Sequence, residues 1–584
     1  MKTIAETLND LVSSAFEQCD LSKELGSVTL SNRPDLCHYQ SNGAFLGAKT
    51  NKMSPMVIAN KIKSILEKED AFSEVAVVAP GFINLSISDI FIVEFINEML
   101  SDEYLGIPQV GKHQTVIIDY GGPNIAKPLH VGHLRSAIIG EAIKRMAKAT
   151  GYTTIGDIHL GDWGMPIGLI MAELEEREIA LASGVLEWKN IAQHLSTNLL
   201  NEIYPFASKK SKENVAFKRR AQKITRDLQN GHEEYVAVWK KIVQISVMDF
   251  RKSYTKLNVD FDLWSGESDS QKYIPELIEI LSEKCLIYKS HGAMVVDVDD
   301  PADSPTTPPI IIKKSDGSSL YSTTDLATII QRQKELKPDK CWYVVDNRQS
   351  LHFKQVFRCA RKADLIPQNV ELEFLGFGTI NGIDGKPYKT RDGNVMKLSD
   401  LLSLALSEAV AKSQTSGYIN LNNRQQRINA EKISVAAIKF GDLINNRSKD
   451  YVFDLDKFLA ADGKTGAYLL YTVSRINSIQ TRIGEYLSEY RLSGIYSDYE
   501  RQILLHILSV GDVFKTAIDE KSPHYICEIA YQIALSFSKF YSNTKIISEV
   551  NEEKKSSWLS LLSLTRTFLI ELLYVLGIEP VEHM

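Results

Sequence analysis

The sequence predicts an α/β protein of several domains, with a doubly wound parallel sheet in its central part. Three observations support this prediction: a first stretch of mixed pattern, β-rich apolar runs that alternate with helical segments, and an almost wholly helical last third. The chain has 584 residues, more than one hydrophobic core organises, so about three to five domains are expected.

Residues 1–110 are predicted to form a small α+β module. Helical patterns are followed by alternating apolar and polar residues at 73–78 and 81–88, which are typical of short strands. A polar stretch then predicts a linker that ends near residue 113.

Five β-rich apolar runs predict the sheet of the second domain, residues 113–400, which we therefore expect to be Rossmann-like. The runs are 114–121, 293–299, 308–314, 341–346 and 371–378. After the first run, a loop that contains a proline leads to a helix around 133–149. Residues from about 175 to 255 are charged and helical and too many for a loop, so an insertion is predicted there.

The third domain is predicted to be a helix bundle over residues 405–584. Its apolar residues keep a period near 3.6 through segments such as TGAYLLYTVSRINSI and WLSLLSLTRTFLIELLYVL. The most apolar stretch, 559–578, contains Arg566 and Glu571 and falls short of the about 18 uninterrupted apolar residues that cross a bilayer. The N-terminus has no apolar core of a signal peptide, so we expect a cytosolic protein without a membrane partner.

The overall charge does not point to a nucleic-acid partner. Apolar residues make up 44 % and charged residues 24 % of the chain, which excludes a disordered or fibrous class, and the net charge is -6. One local exception is the run 209–226, which has eight basic residues and one acid. It forms either a face that binds phosphates or an ordinary solvated helix face.

The segment GGPNIAKPLHVGHLRS, from Gly121 to Ser136, lies where the first predicted strand gives way to its helix. Ligands of α/β sheets bind at this position. His130 and His133 flank Gly132 at a helix N-terminus, whose partial positive charge attracts phosphate, and their imidazoles can donate to a phosphate that gains charge during a reaction. Two alternatives stay open, a metal held by His-x-x-His and a pair of structural histidines. The six cysteines lack close pairs, so no metal site is predicted.

The same segment resembles the HIGH signature of class I aminoacyl-tRNA synthetases. With the following GDWG (161–164), it resembles the arginyl-tRNA synthetase version in particular. Further motifs of that family follow in order: WSGES (264–268), KSDGSSLYSTTDLA (314–327), YVVDNRQSLHFKQVF (343–357) and GFGTINGIDGKPYKTRDGNVMKL (376–398). The resemblance covers most of the chain after residue 113.

The resemblance implies an enzyme that uses ATP, with Mg²⁺, to activate L-arginine and then transfers it to the 3′ terminal ribose of tRNA-Arg. It also implies that the activation step requires bound tRNA. We expect a monomer.

Arginine carries a planar cation with five donors, which carboxylates and a phenol bind well. The resemblance assigns the charge to Glu267 and Asp325, and the wall of the pocket to Tyr321, four residues before Asp325. Asn124 and Gln349 match positions near the α-ammonium and α-carboxylate groups. Out of context, each of these residues is as easily a surface acid, a core tyrosine or a capping amide.

The second ATP-binding loop departs from the class I pattern. Aligned on GNVMKL, the usual KMSKS loop falls on residues 387–391, and Thr390 replaces its second lysine. The resemblance implies that Lys127 neutralises the phosphates from the opposite side and that Lys389 and Arg391 assist. By itself the loop is also consistent with a basic, Gly-rich turn. The expected ATP contacts are Lys127, His130, Gly132, His133, Lys389 and Arg391, with Lys127, His130 and His133 as the catalytic donors.

Two regions are expected to contact tRNA. Tyr468, Tyr471 and Arg475 share one helix face, which is suited either to stacking on bases or to core packing. The helical third domain resembles the family's anticodon-binding domain, and the N-terminal module resembles the domain that contacts the tRNA elbow. Its best-matching stretch contains Tyr39, Gln40, Asn42 and Phe45.

Two other functions are considered. A nucleotidyltransferase could use the same His-x-Gly-His site for another acid, but the predicted acidic pocket argues against it. A catalytically inactive synthetase-like RNA-binding protein is the second alternative. The presence of both histidines, Lys127 and the acidic residues together argues against that one.

Overall fold

The structure, a computed structural model, describes the chain except residues 34, 182–187, 316–319, 383, 387, 389–395, 416–423, 484–490 and 583–584. An antiparallel sheet with four helices forms the N-terminal part. Its elements are α1 Ile4–Gln18, β1 Val28–Leu30, β2 Tyr39–Ser41, α2 Gly43–Gly47, α3 Pro55–Leu66, β3 Phe72–Val78, β4 Phe82–Ile87 and α4 Asp89–Ser101. The strands are ordered β1-β2-β4-β3, and the apolar sides of α1 and α3 are buried.

The central part alternates strands and helices. In chain order its elements are β5 Thr115–Tyr120, α5 Val131–Ala149, β6 Thr153–Leu160, α6 Met165–Leu181, α7 Trp188–His194, α8 Thr197–Glu213, α9 Val215–Gln229, α10 Glu233–Lys256, β7 Leu263–Gly266, α11 Ile274–Glu283, β8 Ile287–Ser290, β9 Ala293–Val296, β10 Ile310–Lys313, α12 Tyr321–Glu335, β11 Lys340–Asp346, α13 Ser350–Lys362, β12 Glu371–Phe377 and β13 Ile380–Asn381. Helices α6 to α10 occupy the predicted insertion.

The last part is helical apart from one short strand. Its elements are α14 Leu398–Thr415, α15 Arg424–Leu443, β14 Tyr451–Val452, α16 Leu455–Phe458, α17 Gly466–Ile483, α18 Asp498–Leu508, α19 Val510–Asp519, α20 His524–Asn543 and α21 Glu552–Val575. Helix α21 is long and apolar enough to cross a membrane, but 72 % of its most apolar window is buried inside the protein.

Five parallel strands form the main sheet, in the order β12-β11-β5-β6-β7. The chain moves outward from β5 to β7 on one side and then fills β11 and β12 on the other. The order therefore reverses at β5, and the loop after this strand opens a crevice at the carboxyl edge of the sheet. The doubly wound fold is confirmed, and it places the His-x-Gly-His segment at the reversal.

Two of the predicted strands lie outside this sheet. The runs 293–299 and 308–314 form β9 and β10, which pair with β8 in a separate antiparallel sheet. A tight turn at His291 and Gly292, both with positive φ, joins β8 to β9, and so short a connection permits only antiparallel pairing. The sheet positions belong instead to β6, whose sequence TTIGDIHL is too polar to read as a buried strand, and to the four-residue β7.

A buried ion pair joins α5 to the C-terminal helices. Arg135 on α5 is 1 % exposed and Asp442 on α15 is 0 % exposed, with 3.1 Å between Nε and Oδ2. The same guanidinium donates from Nη1 to the carbonyl oxygens of Gly378, at 2.7 Å, and Lys449, at 3.1 Å. Arg135 therefore holds α5, α15 and the segment after β12 together.

Replacing Asp442 with alanine would leave the Arg135 charge buried without its counter-ion. We expect the free energy of unfolding to fall by about 3–5 kcal/mol, measured by urea unfolding followed by circular dichroism. Asp35→Ala is the matched control, because it removes the exposed Arg33–Asp35 pair and should leave unfolding unchanged. Equal effects of the two substitutions would contradict the assigned role.

Candidate active site

The first turn of α5 is closed by its own histidines. His130 is the N-terminal cap; its Nδ1 accepts from the Gly132 backbone N–H at 3.0 Å, and Nδ1 of His133 accepts from the His130 backbone N–H at 3.0 Å. The two rings lie 3.9 Å apart between centroids. A Cβ on Gly132 would come within 2.8 Å of the His130 ring, so a glycine at this position keeps the imidazole in place.

These bonds fix where the imidazole protons lie. A nitrogen that accepts an N–H bond carries no proton, so each neutral ring has its hydrogen on Nε2. Burial, then the neighbouring His130, lowers the pKa of His133 to about 3, and burial followed by Lys127 lowers the pKa of His130. The site therefore presents two neutral N–H donors, as transition-state stabilisation of a phosphate requires.

The backbone next to the second ATP loop is attached to this turn. Val131 donates to the carbonyl of Met396 at 3.0 Å, and Leu398 donates to the carbonyl of Leu129 at 2.9 Å. The predicted contacts Lys389 and Arg391 lie outside the described residues. The chain just after them is nonetheless bonded to the histidine turn.

Lys127 lies on the side that faces the insertion. Its ammonium is 4.8 Å from the ring centroid of Tyr204 on α8, within cation–π range. Tyr204 is also close enough to Tyr321 to contribute, after burial and Glu267, to the raised pKa of Tyr321. One aromatic residue of the insertion thus links the predicted phosphate and arginine regions. Tyr204 lies in no recognisable motif, so sequence reasoning did not single it out.

Acidic side chains converge at the same carboxyl edge of the sheet as the histidines. Burial, then the charges of Asp325 and Asp162, raises the pKa of Glu267 to about 8. Asp162 is 4 % exposed and accepts from the backbone N–H of Ser268, at 3.0 Å, and from its hydroxyl, at 2.6 Å. Within the described part of the chain, no lysine or arginine pairs with Glu267. A cationic ligand would relieve this repulsion.

The other predicted arginine contacts surround the same acids. Asn124 pairs with Gly161 of the GDWG motif, and its Oδ1 lies 2.2 Å from where a Cβ on Gly161 would be, so residue 161 must be glycine for this approach. Tyr321 and Asp325 are one turn apart on α12, and Tyr321 is 60 % exposed. Gln349 is exposed in the short 3-10 turn between β11 and α13.

Two residues that sequence reasoning missed hold Asp325 and its helix in place. Nε2 of His352 on α13 lies 2.5 Å from Oδ2 of Asp325. Arg332, seven residues after Asp325 on α12 and 3 % exposed, donates from Nη2 to Asp119 of β5, at 2.6 Å, and to Asp157 of β6, at 2.7 Å. Arg332 thus fixes α12 to the sheet two turns below the pocket. His352 lies within the motif YVVDNRQSLHFKQVF and could have been predicted, whereas Arg332 lies between the recognised motifs.

Comparison with known proteins identifies the family. The catalytic domain of class I tRNA synthetases (R) matches residues 95–455, the arginyl tRNA synthetase N terminal domain matches 2–87, and the DALR anticodon binding domain matches 469–584. The arginine–tRNA ligases of Alkaliphilus oremlandii and Agathobacter rectalis are 45 % and 43 % identical to the chain, with 100 % of each chain covered. The crystal structure of arginyl-tRNA synthetase from Plasmodium falciparum aligns over 100 % of both chains with a TM-score of 0.83 at 26 % identity. The chain belongs to the arginyl-tRNA synthetase family.

Membership in the arginyl-tRNA synthetase family confirms the predicted fold class and the enzyme class, a class I arginine–tRNA ligase. The inactive alternative has no support among these relatives.

The catalytic match runs to residue 455, so α14 and α15 fall within it, beyond the boundary predicted at 400. Among the side chains that the structure describes, no group of three or more His, Cys, Asp or Glu residues could hold a metal ion.

The predicted aromatic face of α17 in this synthetase is assembled as expected from its spacing. Arg475 lies 4.4 Å from the ring of Tyr471 and 5.3 Å from that of Tyr541 on α20. Tyr468 donates to the Ser538 hydroxyl at 2.8 Å, so its hydroxyl is engaged inside the bundle. Tyr468, Tyr471 and Arg475 are all half-buried, so each keeps some exposed surface.

The N-terminal contacts of the synthetase require one correction. Tyr39 is 3 % exposed in the core, where burial raises its pKa, so its ring has no free face for RNA. Gln40 is half-buried and bonded to Asn84 at 2.8 Å. Asn42 and Phe45 are exposed around the start of α2. A tyrosine on an alternating strand was not distinguishable from a surface residue by spacing alone.

The neutral state of His133 can be tested by nitrogen-15 NMR of selectively labelled histidine. We expect a spectrum from pH 5.5 to 8 with a proton on Nε2 and none on Nδ1, assigned by its loss in His133→Gln. The folded protein binds fewer protons here than the unfolded chain, so this contribution to stability is full above about pH 6.5 and is lost toward pH 3. Titration near pH 6.5 would show that burial does not control this ring.

Proposed function

We propose that this enzyme makes arginyl-adenylate from L-arginine and ATP and then transfers the arginyl group to the 3′ terminal ribose of tRNA-Arg. The observation that supports this most strongly is a juxtaposition at one edge of the sheet. Two neutral Nε2–H donors at a helix N-terminus lie at the same edge of the sheet as a cluster of carboxylates that has no lysine or arginine partner among the described residues. The first suits a phosphate and the second suits a guanidinium.

In the first step, an arginine carboxylate oxygen attacks the α-phosphorus of ATP and the bond to pyrophosphate breaks. We assign the Nε2–H groups of His130 and His133 to the α-phosphate oxygens, which gain charge as the bond forms. Lys127 neutralises the phosphates from the side of Tyr204, and Lys389 and Arg391 assist from the second loop. Gly132 leaves room for the nucleotide. Mg²⁺ enters with ATP, on the pyrophosphate oxygens, as part of the substrate.

We assign the guanidinium of arginine to Glu267 and Asp325, with Tyr321 as the wall of the pocket. Asn124 and Gln349 bind the α-ammonium and α-carboxylate groups, and both lie at the same edge of the sheet as the histidines. In this proposal the attacking carboxylate lies between the acidic cluster and the phosphate donors. In the second step, a ribose hydroxyl attacks the adenylate carbonyl carbon and AMP leaves.

We propose that Tyr468, Tyr471 and Arg475 of the bundle and Gln40, Asn42 and Phe45 of the N-terminal module contact tRNA. The supporting observations are the cationic and aromatic face of α17 and the exposure of Phe45, which is 52 %. The proposed domains are 1–110, 113–400 and 405–584, with an insertion over about 175–255. We further propose a cytoplasmic monomer.

Exchange of labelled pyrophosphate into ATP tests the reaction. We expect exchange with arginine when an arginine-accepting tRNA is present and little without it, and none with lysine, because the pocket is built for a planar cation. His133→Ala should lower the exchange rate on the order of a hundredfold, as for the loss of one preorganised donor. Binding of tRNA without exchange in the intact enzyme would instead favour the inactive alternative.

The pH dependence of arginine binding tests the pocket. With its pKa raised to about 8, Glu267 is protonated at pH 6 in the empty enzyme, whereas a bound guanidinium favours the carboxylate. Arginine binding should therefore release a proton, and the KM for arginine should fall by about tenfold or more from pH 6 to pH 8. Glu267→Gln should raise the KM and remove the slope. If the KM for arginine depended on pH equally in both enzymes, Glu267 would be excluded as the group that causes this dependence.

A further inference from the structure

The contact between His352 and Asp325 joins two helices that bound the proposed arginine pocket. Asp325 lies on α12 and His352 on α13, with 2.5 Å between Nε2 and Oδ2. An ionised carboxylate only accepts hydrogen bonds, so the imidazole is the donor. Oδ1 of Asp325 has no hydrogen-bond partner among the residues that the structure describes.

His352 lies in the first turn of α13, three residues after Gln349. The N-terminal end of a helix carries partial positive charge, so this turn faces the acidic cluster with the favourable polarity. The same short segment therefore supplies the proposed ligand for the α-groups of arginine and the donor to Asp325. Both ends of the bound arginine are therefore positioned by side chains of the same short turn.

We infer that His352 is a positioning residue for recognition of the guanidinium group. By donating to one lone pair of Oδ2, it fixes the plane of the Asp325 carboxylate and leaves Oδ1 and the other lone pair of Oδ2 for the substrate. Two parallel hydrogen bonds between a guanidinium and a carboxylate depend on that plane, and a freely rotating carboxylate would form them at an entropic cost. This inference rests on the proposed function.

The packing of α12 against α13 does not depend on this contact. Apolar residues of both helices, including Leu326, Ile329, Val356 and Cys359, share one buried cluster. Arg332 separately anchors α12 to the sheet through Asp119 and Asp157. Loss of the imidazole should therefore release the carboxylate while the helices stay in place.

Two amide variants of different length test whether the exact position of the donor atom at residue 352 matters. In His352→Gln, the amide nitrogen reaches the position of Nε2, whereas in His352→Asn it falls one atom short, at the position of Nδ1. Lys354→Ala is the matched control, because Lys354 lies on the same helix in an ion pair with Asp303 at 2.7 Å, away from Asp325. Each variant is assayed as the full chain with tRNA for the KM of arginine, the KM of ATP and kcat.

We expect His352→Asn to raise the KM for arginine about tenfold, with the KM for ATP within about twofold of the unsubstituted enzyme. His352→Gln should recover most of that loss, and Lys354→Ala should show none. Agmatine, which has the guanidinium but no carboxylate, should lose inhibitory potency in His352→Asn by a similar factor. Because agmatine lacks the α-carboxylate, its inhibition reports on binding of the guanidinium with a smaller contribution from Gln349 and Asn124.

Equal KM values for arginine in the Asn, Gln and unsubstituted enzymes would overturn the inference. A parallel rise in the KM for ATP, or loss of folding in both variants, would also overturn it by showing a general structural role. These results differ from failure of the proposed function, in which the unsubstituted enzyme itself would not attach arginine to tRNA.

Discussion

The histidine turn of α5 is the feature on which the rest of the site depends. A helix N-terminus leaves backbone N–H groups without partners, and here imidazole nitrogens accept two of the N–H groups at this turn. This capping selects the tautomer and directs both Nε2–H groups outward. The backbone of the same turn also bonds to Met396 and Leu398, so helix geometry, protonation and the position of the segment 396–398 are set together.

The arginine side of the site differs from the histidine turn, because its acids have no lysine or arginine partner among the described residues, whereas the acids beneath the pocket share an arginine. Glu267 has no cation in contact within the described chain, whereas Asp119 and Asp157 share Arg332 in the interior. Removing the lower partner would leave buried charge, so the triad is a strong constraint on α12. The pocket can remain electrostatically strained because the helix that carries Asp325 is fixed elsewhere.

The sequence was sufficient for the fold class and the enzyme class. Motif order and the loop after the first strand predicted one site from His130, His133, Glu267 and Asp325, and the structure brings Glu267 and Asp325 within range of each other's charge. Local pattern failed where tertiary context decided, as in the polar strand β6 and in β9, which a tight turn directs into another sheet. Tyr204 and Arg332 could not be predicted, because their roles arise from helices brought to the site by folding.

Three remote segments meet next to α5, and this junction ties the bundle to the pocket. Buried Lys439 of α15 donates to the carbonyl oxygens of Leu257 and Gly577, each at 2.8 Å. Burial lowers its pKa to about 7, and Gly577 has a positive φ with no room for a Cβ beside the ammonium. Leu257 directly follows α10, which leads to β7 and Glu267, and Gly577 lies just after α21. The Lys439 ammonium therefore joins the ends of these two helices and fixes the last helix of the bundle to the segment before β7.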